Sequence, residues 1–317
     1  MNGDTQMRWG FLGAARIAHK ALAPAVREAG HELTAVAARD LARAEAFGAK
    51  RAYGDYASLI ADPGIDAIYI ALTNDQHLPW TLAALAAGKH VLCEKPLALN
   101  AAEVAQMQQA EAASGKRVME AFCHIFAPQY DRLQTLLAQG AIGRLLGLQA
   151  SFTARMAPED FRWHREMGGG ALFDLGCYCV SLMRLLAGEP DTVSATQVQS
   201  RGVDATLAGQ LHFASGATGQ FLCSFEADLA QHMLLRGTEG SIALDWPIST
   251  KGRTTTLTLN GVPETFPPFD PYVAMVTHFA EGGPFRFPLS ASLAQARTLD
   301  ALFAAAATGQ TVRLPHG

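Results

Sequence analysis

Several things are scarce in this sequence, and each absence removes a class of protein. No uninterrupted apolar run reaches the about 18 residues that a helix needs to cross a bilayer, so no membrane-spanning helix is expected. Charged residues are only 17% of the 317, and the formal net charge is −4. That leaves no basic surplus to attract nucleic acid or an anionic membrane, and too little charge for a disordered chain. Five cysteines (Cys93, Cys123, Cys177, Cys179 and Cys223) make an odd set without metal-ligand spacing, so neither a disulfide framework nor a metal site is expected. They read as small buried residues in a reducing cytoplasm. Internal repeats and low-complexity linkers are missing too. Met1–Gln6 is polar and reads as a loose terminus rather than a signal peptide.

What is present is apolar: hydrophobic residues are 49% of the chain, enough for sizeable cores, and the length suits two domains of ordinary size. The first part alternates strand and helix. Strands are expected at residues 8–12, 33–37, 65–72, 90–93 and 117–122, and helices at 16–29, 41–47, 77–87 and 101–114. Asn100 and Glu103 are placed as a capping box for the last of these helices. Alternation over this length implies a parallel sheet with right-handed crossovers. The rhythm changes near Phe122 and Cys123. A helix over 128–139, a strand over 145–153 and a helix over 171–186 precede strand-like runs at 193–200, 205–213, 218–224, 232–237 and 254–259. Strands without intervening helices point to a largely antiparallel sheet. The expected architecture is α/β, with a Rossmann domain over 1–122 and an α+β domain over 123–317. Its final helix, 290–307, has room to pack near the first domain.

The turn after the first strand, Gly13-Ala-Ala15-Arg16-Ile17-Ala18, fits G-x-G-x-x-A with alanine at the second glycine. The first glycine makes the tight turn, and the helix N-terminus that follows suits a pyrophosphate. An ordinary tight strand–helix turn is the structural alternative. At the tip of the second strand stands Ala38, then Arg39, where an acid would have favoured the ribose hydroxyls of NAD. A guanidinium suits a 2′-phosphate, and Arg43 lies one helical turn on. Asp40 is the expected N-cap of the next helix. The cofactor favoured is NADP, with NAD the alternative, and Arg39 as a merely solvated charge stays open.

A buried strand ends in Glu94-Lys95-Pro96, at the sheet edge where α/β proteins bind ligands. The charge of Lys95 can depress the pKa of a neighbouring acid or contact a hydroxyl, and a cis bond at Pro96 is compatible with the sequence. Further on, Gly168-Gly-Gly-Ala-Leu-Phe-Asp174-Leu-Gly-Cys-Tyr178 places Asp174 and Tyr178 four apart on one helix face. Taken alone, Asp174 could serve the helix dipole and Tyr178 the core.

The ordered set of Gly13-x-Ala15-x-x-Ala18, Glu94-Lys95-Pro96 and Gly168 to Tyr178 resembles the glucose–fructose oxidoreductase/inositol dehydrogenase family (Gfo/Idh/MocA). Val36 to Leu41, Met119 to Phe122 and Pro288-Leu-Ser fit its dihydrodiol and NADP-dependent xylose dehydrogenase branch. The resemblance implies a Rossmann domain and an open-faced sheet domain that carries substrate contacts and a homodimer or homotetramer interface. It implies a catalytic role for Lys95, Tyr178 and Asp174. Thr73, Asn74 and His77 are implied along the nicotinamide side, with Glu94 and Lys95 nearby. The implied activity is hydride exchange with a sugar, polyol or dihydrodiol-like CH–OH group, with Tyr178 and Lys95 handling the proton. A non-catalytic dinucleotide or sugar sensor is the alternative from another class. The chain departs from the family at His124, Ile125 and Ala127. His124 is read either as a pocket hydrogen-bonder or as a core histidine. Arg162 and Trp163 are read as reaching the substrate or as a packed surface loop.

Overall fold

The computed structural model describes residues 6–315, so the reading of Met1–Gln6 as a loose terminus lies, but for Gln6, outside the described residues. The chain forms two compact units. The first holds the residues up to Cys123 together with Asp270–Leu293, and the second holds His124–Phe269 and the residues from Ala294 on.

In the first unit the strands are β1 (Arg8–Leu12), β2 (Glu32–Ala37), β3 (Arg51–Tyr53), β4 (Ala67–Ile70), β5 (His90–Cys93) and β6 (Val118–Glu120). Between them run α1 (Ala23–Glu28), α2 (Leu41–Glu45), α3 (Tyr56–Ala61), α4 (His77–Ala86) and α5 (Ala101–Ser114). All pairings are parallel, in the order β3-β2-β1-β4-β5-β6. The order reverses between β1 and β4, and ligand crevices of doubly wound sheets open at the strand carboxyl ends there. Phe11, Ile68, Tyr69, Ile70, Val91 and Leu92 are wholly buried, which is why these strands read as apolar runs. Asn100 caps α5 by accepting from the Glu103 N–H at 2.9 Å. The Glu103 carboxylate turns back to the Leu99 N–H at 3.0 Å. The sequence reading passed over the short, half-exposed β3 and the six-residue helix after it, whose apolar Tyr56, Leu59 and Ile60 cover less than two turns.

Sequence order cut the chain once, but α8 (Pro271–Glu281) groups with the first unit. Burial explains this: Phe279 packs on Trp9 in a tilted arrangement, with ring centroids 5.1 Å apart, and Trp9 is wholly buried. The Arg117 guanidinium lies over the Phe285 ring and donates to the carbonyls of Phe279 and Gly283.

The second unit opens with α6 (Pro128–Ala138) and β7 (Leu145–Thr153), then a helix made of a π-turn (Leu172–Gly176) continuous with α7 (Cys177–Ala187). Strands β8 (Pro190–Ser200), β9 (Val203–Phe213), β10 (Thr218–Ser224), β11 (Ala230–Gly237), β12 (Ser241–Asp245), β13 (Thr255–Leu259) and β14 (Val262–Phe266) follow. The sheet is completed by β15 (Val312–Arg313) in the order β14-β13-β12-β11-β7-β10-β9-β8-β15. Every pairing is antiparallel except β10 with β7. The alternating burial of β9 fits a sheet covered on one face. Residues 165–187 are long and apolar enough to cross a membrane by length and composition alone, yet 72% of their most apolar window is buried inside the protein. This is a core helix, held also by α9 (Leu289–Thr308), where Gln295 donates to the Cys177 carbonyl at 2.8 Å and Phe303 packs on Phe173. All five cysteines are buried and free, and burial pushes the thiols of Cys93, Cys123, Cys179 and Cys223 up.

Candidate active site

The phosphate turn is built by close approach. Gly13 has φ +98° and donates its N–H to the Ala37 carbonyl at 2.9 Å. A Cβ there would lie 2.4 Å from the Ala71 carbonyl oxygen, so only glycine fits. Beyond the turn, a π-turn (Ala18–Leu22) leads into α1. Ala14, Ala15, Arg16, His19, Lys20, Arg43, Ala46 and Phe47 line a pocket. Its charged lining is cationic, and Arg43 is aimed by a 2.8 Å hydrogen bond to the Ala14 carbonyl. Ile17 is half-buried, and Ala38 is buried with its N–H on the Tyr53 carbonyl. Arg39 is exposed and does not line this pocket, whereas Arg43 does. Asp40 caps α2 by accepting from the Ala42 N–H. His19 and Lys20 were not singled out from the sequence. Their spacing of three and four from Arg16 puts them on its helix face and could have found them. The lining fits a dinucleotide: a turn that backbone atoms can approach, an open helix start, and cations for phosphate.

At the end of β5, Glu94 accepts from the Tyr69 hydroxyl at 2.6 Å and from the Lys95 N–H at 3.3 Å. Burial, with Glu94 beside it, pushes the Tyr69 phenol well above its usual range, so it remains a donor. A buried tyrosine in a parallel strand needs such a partner, and this is the signal that Tyr69 offered in the sequence. The Lys95–Pro96 bond is cis, and the Leu97 N–H donates to Glu120 at 2.9 Å. Lys95 and Thr73 are half-buried and Asn74 is buried. His77, expected to line the nicotinamide side, is instead wholly buried. Its Nδ1 lies 2.8 Å from the Pro96 carbonyl and its Nε2 3.2 Å from that of Leu72. It ties the loop after β4 to the Lys95–Pro96 turn, and burial lowers its pKa.

In the second unit, Asp174 lies within the π-turn and Tyr178 in the first turn of α7. The π-turn's wider winding offsets the two side chains from the stacked arrangement of a regular α-helix. The Asp174 carboxylate lies 2.8 Å from the Arg162 guanidinium, whose Nη1 also contacts Asp160 at 3.1 Å. Burial works against the Arg162 charge, but Asp174 and Asp160 outweigh it and hold the pKa above its ordinary value. Trp163 is buried, donates to the Ala157 carbonyl at 3.0 Å and packs on Phe225. His124 is 1% exposed, and burial holds its pKa down at about 3. Its Nε2 lies 3.3 Å from the Ser181 hydroxyl, and its ring packs edge-on to Tyr178 with centroids 5.2 Å apart. The sequence reading missed Asp204, on β9, whose carboxylate accepts from the Leu172 N–H at 2.7 Å. Among the described residues, no group of three His, Cys, Asp or Glu could hold a metal ion.

Residues 7–122 match the GFO/IDH/MocA oxidoreductase family, NAD-binding Rossmann fold, and residues 130–243 match the GFO/IDH/MocA C-terminal domain. The chain is similar to D-xylose 1-dehydrogenase (NADP(+)) 2 of Haloferax volcanii, at 37% identity over 97% of this chain and 100% of the relative. It is also similar to trans-1,2-dihydrobenzene-1,2-diol dehydrogenase of Mus musculus, at 37% identity over 83% of this chain and 80% of the relative. Among solved structures, it resembles an aldose-aldose oxidoreductase from Caulobacter crescentus complexed with glycerol (TM-score 0.90, 27% identity, covering 98% of this chain and 100% of that one). A 3-ketoreductase from Actinomadura kijaniata in complex with NADP and TDP-benzene gives a TM-score of 0.88 at 28% identity, covering 95% and 98%.

Proposed function

Because the chain belongs to the GFO/IDH/MocA family of oxidoreductases, we propose that it is an NADP-dependent dehydrogenase or reductase acting on a CH–OH or carbonyl group of a sugar, polyol or dihydrodiol-like substrate. The observation that carries this reading is Lys95, half-buried at the carboxyl end of β5 and framed by Glu94 and the cis Pro96, in the unit that bears the phosphate turn. The relatives support the substrate class, since they are named for xylose and a dihydrodiol.

NADP, when bound, supplies or accepts hydride at its nicotinamide ring. In this proposal Gly13, Ala15, Arg16 and Ile17 hold the pyrophosphate at the helix start. Arg43, with Arg39 beside Ala38, takes the 2′-phosphate. Thr73, Asn74, Glu94 and Lys95 line the nicotinamide side, while His77 shapes their loops from within. Tyr178 exchanges a proton with the substrate oxygen, and Lys95 shares the handling of that proton. Asp174, neutralised by Arg162, orients the hydroxyls rather than taking their protons. His124 stays neutral and supports the Tyr178 ring from the core side, and Trp163 holds the segment that bears Arg162. A homodimer or homotetramer through the nine-stranded sheet, in a reducing cytoplasm that keeps the thiols free, completes the proposal.

The test is a fluorescence titration with NADPH, followed by an absorbance screen against D-xylose, myo-inositol and trans-dihydrobenzenediol. Lys95→Met is expected to keep NADPH affinity within about threefold and to cut turnover by a hundredfold or more, roughly the weight of a proton-handling group. Near-normal turnover in that variant sinks the role of Lys95. Tight NADPH binding with no turnover on any substrate makes the protein a sensor instead.

A further inference from the structure

Asp204 stands second in β9 and is 5% exposed. A carboxylate this deep is unfavourable unless its oxygens are engaged. Its Oδ2 accepts from the Leu172 N–H at 2.7 Å, and the Ala171 backbone contributes a further hydrogen bond. Leu172 begins the π-turn that contains Asp174 and runs into α7 with Tyr178. The first N–H groups of any helix lack partners within it, and its N-terminal end favours negative charge. Asp204 therefore caps this helix from a different strand, not from the residues that precede it.

The third glycine of Gly168-Gly-Gly170 fits the same purpose. Gly170 has φ +127°, and a Cβ there would lie 2.0 Å from Oδ1 of Asp204. The carboxylate occupies the space a side chain would need, so glycine and aspartate, more than thirty residues apart, form one device. A serine or asparagine just before the helix would have satisfied the same N–H without burying a charge. What the distant carboxylate adds is registration: the entry turn is tied to the sheet rather than to its own loop.

We propose that Asp204 is a positioning residue, which from β9 fixes the entry turn of the helix carrying Asp174 and Tyr178 and thereby sets where the Tyr178 hydroxyl sits. This rests on the reading that Tyr178 handles the proton. Asp204 itself touches neither substrate nor cofactor; its effect reaches the reaction through the helix.

The test uses the full chain with Asp204→Ala and Asp204→Asn. Three quantities are measured: NADPH affinity by fluorescence, kcat and KM on the most active member of the substrate panel, and amide hydrogen exchange of peptides across residues 168–180. In Asp204→Ala, kcat is expected to fall about tenfold or more, since small misplacements of reacting groups are costly. Exchange across 168–180 rises, while NADPH affinity, KM and exchange in the other strands stay within about threefold of wild type. Asp204→Asn keeps an acceptor oxygen and is expected to recover part of the protection, with kcat about threefold down. Wild-type kcat and exchange in the folded alanine variant overturn the proposal. If that variant does not fold, wild-type kcat in Asp204→Asn overturns it. Faster exchange throughout the unit, with KM and kcat moving together, also overturns it in favour of a general structural role. A wild-type protein inactive on the whole panel sinks the enzyme reading instead, whereas active wild type with unaffected variants sinks Asp204 alone.

Discussion

The guanidinium of Arg162, in the short 3-10 turn Phe161–Trp163 that precedes the helix on which Asp174 stands, lies 2.8 Å from the carboxylate of Asp174. Asp174 is 9% exposed, so removing its partner strands a nearly buried charge. Breaking a fully buried pair costs about 3–5 kcal/mol. Since 28% of the Arg162 side chain is exposed, Arg162→Ala is expected to lose about 2 kcal/mol, and Arg162→Lys about half of that. Urea unfolding of both variants checks this. No loss in Arg162→Ala would show that Asp174 is stabilised elsewhere.

Gly13→Ala places a Cβ against the Ala71 carbonyl oxygen, at a φ that side chains avoid. Overpacking and backbone strain together are expected to cost about 2–4 kcal/mol. NADPH affinity should drop at least about tenfold, because the turn that admits the pyrophosphate must shift. Thermal unfolding and fluorescence titration measure the two effects. Ala15→Gly is the control, expected within about threefold of wild type.

Arg43 lines the pocket at the phosphate turn and Arg39 does not. Arg43→Ala should therefore weaken NADP binding about tenfold or more, the weight of a charge-assisted hydrogen bond, and leave NAD binding nearly unchanged. Lys20→Ala should act in the same sense about threefold, and Arg39→Ala less than Arg43→Ala. Calorimetric titration with both dinucleotides decides. Equal losses for NADP and NAD in Arg43→Ala would take the 2′-phosphate away from this pocket.

His124 has a pKa held at about 3 by burial, below the ordinary histidine value. As pH falls below about 6.5 the unfolded chain takes up a proton here that the folded protein refuses. The stability that His124 contributes is thus complete above that pH and is lost progressively as pH falls towards 3. Between pH 7.5 and 4.5, wild type should lose about 3 kcal/mol more than His124→Gln, in which this proton uptake is absent. Urea denaturation at the two pH values measures the difference, and His77, whose pKa is also lowered, contributes equally to both proteins. If the variant instead loses a limb of the kcat profile near pH 6, His124 carries a proton and its supporting role is wrong.

Much of the fold and part of the site could be read from local pattern. The apolar runs of β4 and β5 exist because both sheet faces are covered. Asp40 and Asn100 announce helix starts because capping is a two- or three-residue event. The glycine of the phosphate turn, the lysine ending β5 and the pair on the core helix lie at such local junctions, so their order along the chain was legible. β3, β12 and β14 were not: β3 and β14 are short and half-exposed, and the alternation of β12 (Ile242 and Leu244 inward) spans only five residues.

The sequence by itself determined a parallel α/β unit followed by a mostly antiparallel sheet, a phosphate turn needing glycine at position 13, and the helix with Asp174 and Tyr178. Each of these is signalled by a pattern spanning a few residues, although the contact that bars a side chain at Gly13 is with the distant Ala71 carbonyl. Only the tertiary structure decided that His77 turns inward to two carbonyls, that α8 joins the first unit through Trp9, and that Arg162 and Asp204 hold the Asp174 helix. The physical reason is that a buried polar group takes its partner from whichever distant segment packing brings within about 3 Å, and neither hydrophobic period nor capping signal encodes that choice.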